Sequence, residues 1–68
     1  MKNTDRIEAG LDLLDTHNAM QGSNGDLQDD IVDAVANLLH YAADQGEDIA
    51  LISSLAVVHA NYEIEEEA

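Results

Sequence analysis

Apolar residues recur with helical spacing in three segments of the chain. In the first segment, Ile7, Leu11 and Leu14 follow one another at intervals of three and four residues, which is the period of an α-helix. The second segment starts after Asp26 and the third after Asp48, each with apolar residues along one side. The pattern therefore predicts three helices, over residues 5–20, 27–45 and 49–64.

Capping residues and one glycine predict where these helices begin and end. Asp5 and Glu8 have the spacing of a capping box, in which two side chains satisfy free backbone amides at a helix start. Asp26 and Asp48 are placed to cap the second and third helices, and Gly46 can adopt the left-handed conformation that ends a helix. The short turn at Gly46 favours an antiparallel hairpin, with the first helix packed across it. We expect an all-α three-helix bundle.

Chain length and composition limit the core of this bundle. Sixty-eight residues (1–68) make a single domain, and without Phe or Trp its core must be built from Leu, Ile, Val and Ala. A chain of this size buries only about 60% of the surface that its unfolded form exposes, so dimerisation could complete the bundle. The third helix is apolar on most of its sides, which also favours self-association. The candidate residues for this contact are Ile52, Leu55, Val58 and Tyr62.

The charge of the chain is strongly negative and unevenly placed. Fifteen Asp and Glu residues stand against one Lys and one Arg, for a formal net charge of -13. Both cations, Lys2 and Arg6, precede every acid except Asp5, so we expect the later acids to be uncompensated. Nucleic acids and anionic membranes are bound through Lys and Arg, and this chain is therefore predicted to bind neither directly.

Several of the acids repeat with helical spacing. Carboxylates one turn apart are separated by about 5.4 Å along a helix axis, comparable with the roughly 3.4 Å between phosphates along one nucleic-acid strand. Such a surface can imitate a phosphate backbone and bind a basic partner. The alternative is that the acids only keep the protein soluble. The candidate partner-binding residues are Asp12, Asp15, Asp26, Asp29, Asp30 and Asp33, with Glu65, Glu66 and Glu67 as a second patch.

Catalytic and metal-binding chemistry has little support in the sequence. There is no cysteine, and Ser53 and Ser54 have no neighbouring His and acid that would make either a nucleophile. The three histidines are isolated, and His59, on the apolar stripe of the third helix, is interpreted as a core or interface residue. We predict no catalytic residue, no metal and no cofactor.

Two acidic pairs allow one enzymatic alternative. Asp12-x-x-Asp15 and Asp30-x-x-Asp33 resemble the acidic pairs of all-helical nucleotide pyrophosphatases of the MazG type, which implies Mg²⁺ between adjacent helices. That family favours Glu, however, and adds basic residues for the phosphates. No Lys or Arg lies near either pair in this sequence.

The hairpin region resembles a group of mobile-element proteins. The segment Leu38-Leu39-His40-Tyr41-Ala42, the turn Gln45-Gly46-Glu47-Asp48 and the ending Asn61-Tyr62-Glu63 are similar to those of small acidic helical proteins encoded by phages and by conjugative or integrated elements. The resemblance covers roughly residues 27–66. It implies an all-helical fold and a phage or mobile-element setting, and no particular chemistry.

Charge and resemblance together predict a non-enzymatic inhibitor that occupies the nucleic-acid channel of a basic host protein. A mobile-element setting makes a defence complex the natural target, so the expected form is an anti-CRISPR or anti-restriction DNA mimic. No apolar stretch approaches the roughly 20 residues needed to span a bilayer, and no signal-peptide apolar region is seen, so the expected location is the host cytoplasm. The competing hypothesis is a helical homodimer with a structural or assembly role.

Overall fold

Three helices account for nearly all of the chain. A computed structural model describes residues 2–23 and 25–67, with only the backbone of Glu67. Helix α1 is Asn3–Gln21, α2 is Leu27–Asp44 and α3 is Ile49–Glu67, and no strand occurs within the described ranges. The predicted all-α, three-helix class is confirmed.

The ends of α2 and the start of α3 follow the predicted capping. The Asp26 carboxylate accepts a hydrogen bond from the Gln28 backbone N–H at 2.9 Å, and Asp48 accepts one from Leu51 N–H at 3.0 Å. Gly46 has φ +82°, the left-handed conformation that terminates α2. These three assignments are confirmed because each depends on side chains within a few residues of the helix end.

The start of α1 differs from the prediction. The helix begins two residues earlier than expected, after Lys2, whose backbone is extended. Asp5 therefore lies at the third helical position rather than at the cap, and its carboxylate accepts a hydrogen bond from the Lys2 backbone N–H at 3.4 Å. The acid satisfies a free amide from inside the first turn, as the third residue of a capping box does.

Loss of the Asp26 cap is expected to destabilise α2. In Asp26→Ala the Gln28 amide loses its acceptor, which should lower the free energy of unfolding by about 1 kcal/mol. Urea unfolding at fixed protein concentration measures this change. Asp26→Asn is the matched control, because Asn caps helices as well as Asp does. An equal loss of unfolding free energy in the two variants would show that the charge of Asp26, and not its capping hydrogen bond, stabilises α2.

The helices meet one another near their ends. The Asn3 side-chain amide donates to the Glu63 carbonyl oxygen at 3.1 Å, and Arg6 Nε forms an ion pair with Glu63 Oε2 at 2.6 Å, joining the start of α1 to the end of α3. The last turns of α1 contact α2 from Asp30 in its first turn to Asn37 near its middle, and the turn at residues 45–48 connects α2 to α3. Each helix thus contacts both of the others.

This arrangement is open for a chain of its size. The Cα radius of gyration is 13.1 Å, against about 11 Å for a compact domain of this length. The expected core is not formed: no hydrophobic side chain of the described residues is buried. Even Ile52 and Leu55 on the α3 stripe are 38% and 47% exposed, and His59, interpreted as a core or interface residue, lies on the surface of this single chain. The few contacts between the helices leave most of the large apolar side chains exposed.

Candidate acidic interface

The two candidate partner-binding acids of α1, Asp12 and Asp15, lie away from its contact with α2. Asp12 and Asp15 are exposed. The side of α1 that contacts α2 carries His17, Asn18 and Gln21. At about 100° per residue, Asp12 is directed nearly opposite to this contact. The position of α1 therefore presents these carboxylates to solvent, as the sequence predicts.

Exposed acids also surround the start of α2. Asp26, Asp29 and Asp33 are exposed, and Asp26 is at the same time the helix cap. Asp29 and Asp33 are one turn apart, which separates them by about 6 Å along the axis. This first part of α2 contacts the end of α1 through Asp30 and Asn18.

Asp30 is not part of this exposed set. It is only 6% exposed, and its Oδ2 accepts a hydrogen bond from Ser23 Oγ at 2.6 Å and one from Asn18 Nδ2 at 3.5 Å. The prediction that Asp30 shares a solvent-facing side with Asp29 and Asp33 is wrong. Its carboxylate instead joins the end of α1 and the following loop to α2, which a charged group can do when polar donors surround it.

A second polar cluster, which sequence reasoning missed, holds the same two helices together. The Asn37 side-chain nitrogen lies 2.8 Å from His17 Nε2 and donates to Gln21 Oε1 at 2.9 Å. His17 Nδ1 and Asn18 Oδ1 are enclosed without a hydrogen-bond partner. Polar side chains thus make several of the contacts between α1 and α2. A signal was present in the sequence, because Asn18 occupies a position of the α1 stripe where an apolar residue is expected.

The end of α3 carries both paired and unpaired acids. Glu63 is bound to Arg6, so the expectation that every later acid is uncompensated is wrong for this residue. The pairing depends on contact between opposite ends of the chain, which sequence separation hides. Glu65 and Glu66 are exposed, while the side chain of Glu67 lies outside the described residues.

The two aspartate pairs of the pyrophosphatase alternative are not brought together. Asp30 is turned toward Ser23 and Asn18, whereas Asp12 lies on the far side of α1. Within residues 2–23 and 25–67, no group of three His, Asp or Glu side chains is arranged to hold a metal ion.

Comparison with known proteins found no match for this chain. No protein-family model matches the chain, and neither the curated proteins nor the solved structures give a match. In the part of the chain that the structure describes, none of the helices combines the length and apolar character that crossing a bilayer requires.

Proposed function

We propose that this protein is a non-enzymatic inhibitor that binds a basic nucleic-acid-binding protein by imitating the phosphate backbone. The observation that carries the proposal is the exposure of Asp12, Asp15 and Asp29 in a chain of net charge -13. One of the two cations is already bound internally, since Arg6 pairs with Glu63. The chain therefore has too few cations to pair with its exposed acids, and a basic partner would supply them.

Electrostatics explains why such a surface would bind quickly and selectively. A strongly negative protein is steered toward a basic channel at a rate that falls with ionic strength. Once there, carboxylates on successive helical turns can each meet a Lys or Arg side chain that otherwise holds a phosphate. Glu65 and Glu66, which are exposed at the end of α3, are a second candidate contact for a basic partner.

The resemblance of residues 27–66 to small acidic proteins of phages and mobile elements indicates the biological setting of the proposed inhibitor. A protein of that setting acts in the cytoplasm of the host, where defence complexes bind nucleic acid in basic channels. We infer an anti-CRISPR or anti-restriction role, in which the chain competes with DNA for such a channel.

A salt series tests the electrostatic contact. The immobilised protein is used to capture partners from a host lysate, and the affinity of each purified partner is then measured against duplex DNA as competitor. We expect the affinity to fall at least about tenfold between roughly 50 and 200 mM salt, because the exposed charges are screened. The captured partner should also release its DNA when this protein is added.

Matched amide variants separate local contact from overall charge. Asp12→Asn with Asp15→Asn removes two charges from the proposed surface, and Asp44→Asn with Glu47→Gln removes two exposed charges near the α2–α3 turn. The first pair should weaken binding and the second should leave it nearly unchanged. Equal effects, or affinity that does not depend on salt, would contradict the proposed binding surface.

A further inference from the structure

The folded chain exposes far more surface than a monomer of its mass should. Its accessible area is 5499 Å², whereas a folded monomer of 7.3 kDa exposes about 4,200 Å². The excess is about 1,300 Å² per chain. Two copies that covered this excess would bury about 2,600 Å² together, which lies within the range of obligate homodimers.

Two segments of the chain contain no charge, and most of their apolar side chains are exposed. Residues 34–43 of α2 and 49–62 of α3 contain no Asp, Glu, Lys or Arg, although the whole chain carries seventeen such residues. One side of the first segment, with Asn37, lies against α1. They flank the turn at residues 45–48, which carries acids of its own. The repulsive charge of the molecule thus lies outside both segments.

Helix α3 is apolar around most of its circumference within its neutral segment. Leu51, Ile52, Leu55, Val57 and Val58 point in different directions from the helix axis, and all five are exposed. A helix that is apolar on all sides requires neighbours on more than one side. Helices α1 and α2 contact it near its ends and leave these residues uncovered.

We propose that a second copy of this chain covers the exposed side of segment 34–43 and segment 49–62, so that the protein is an obligate homodimer. The charge distribution favours a second copy of this chain over a basic protein as the partner of these segments. A basic partner would be drawn to the acids of α1 and of the start of α2, whereas two chains of charge -13 can approach each other closely only through surfaces that carry no charge. The dimer leaves Asp12, Asp15 and Asp29 outside its neutral interface.

This inference does not rest on the proposed inhibitor function, and salt distinguishes the two. Added salt screens the repulsion between two negative chains and should strengthen the dimer, whereas it should weaken binding to a basic protein. Failure of one proposal therefore leaves the other testable.

Mass measurement at equilibrium tests the dimer directly. Sedimentation equilibrium of the full chain at micromolar concentration should give twice 7.3 kDa. Leu55→Asp places a charge in the neutral interface. The variant should sediment with the mass of one chain, and its helical circular dichroism should be weaker. Leu13→Asp, an equally drastic change at an exposed apolar residue beside Asp12, should keep the dimer.

The reactivity of single engineered thiols tests the same interface with variants that keep an uncharged side chain at each position. The chain has no cysteine, so Leu55→Cys and Leu13→Cys each create a single thiol. Leu55 and Leu13 are 47% and 65% exposed in one chain, which alone predicts similar reactivity. In a dimer, the thiol at position 55 should react with a soluble reagent at least about tenfold more slowly, because opening must precede reaction.

A chain that sediments as a monomer, or as any species other than two chains, would overturn the proposal. So would equal labelling rates at positions 13 and 55. A monomer that gains helix only when a basic protein is added would assign the neutral segments to that partner instead of to a second copy.

Discussion

Reversing Asp12, Asp15 and Asp29 together to Lys is expected to abolish binding to the basic target. Each reversal replaces attraction by repulsion against a cationic surface, and all three residues are exposed. We expect an affinity loss of at least 100-fold, or about 2.7 kcal/mol. Titration calorimetry measures the affinity, and retention of duplex DNA by the target measures the loss of inhibition. Helical circular dichroism should be retained, because none of the three side chains joins one helix to another.

A pair of equally charged variants controls for the change in net charge. Asp12→Lys with Asp15→Lys alters the proposed surface, whereas Asp44→Lys with Glu47→Lys makes the same change in charge near the α2–α3 turn. The first pair should lose most of the affinity and the second only the part due to long-range steering. If both pairs lost the same affinity, the target would sense the total charge and the acids would have only a general role.

Removing the Asp30 carboxylate is expected to have the largest effect on stability among the acids. Asp30→Ala removes the acceptor of the Ser23 hydroxyl and the Asn18 amide, and it removes a carboxylate that is only 6% exposed. Hydrogen bonds to a charged group contribute roughly 1.5–3 kcal/mol each. We expect the free energy of unfolding to fall by about 2–3 kcal/mol.

Urea unfolding at fixed concentration measures this loss, and hydrogen exchange should show it first in the last turns of α1. Asp29→Ala is the control, because its exposed carboxylate acts on α2 only through the helix dipole, an effect of about 0.5 kcal/mol. Ser23→Ala removes one donor to Asp30 and should lower the free energy of unfolding by about 1 kcal/mol. Comparable stability of Asp29→Ala and Asp30→Ala would contradict the structural role of Asp30.

The helices were predictable because their signals are local. Asp26 and Asp48 accept hydrogen bonds from amides two and three residues away, and Gly46 needs no partner to adopt its left-handed conformation. The start of α1 was placed two residues late because Asp5 can satisfy a backbone amide either as a cap or from the third helical position. The pattern alone does not separate these two uses.

The candidate site was predictable only in part. Exposure of Asp12 follows from helical spacing, since its neighbours one turn away are Glu8, Ala9, Asp15 and Thr16. The burial of Asp30 depends on donors twelve and seven residues earlier, at Asn18 and Ser23. Pairing of Arg6 with Glu63 depends on contact between the two ends of the chain. Neither contact has a local signature.

The sequence by itself determined the three helices, the negative charge and the neutral segments of α2 and α3, because periodicity, capping and composition depend on near neighbours and residue type. Only the tertiary structure decided which acid is enclosed, which cation is already paired and how much apolar surface is left uncovered. These properties depend on the distances between helices. In a chain without large aromatic core residues, the few contacts between the helices leave most of the large apolar side chains exposed.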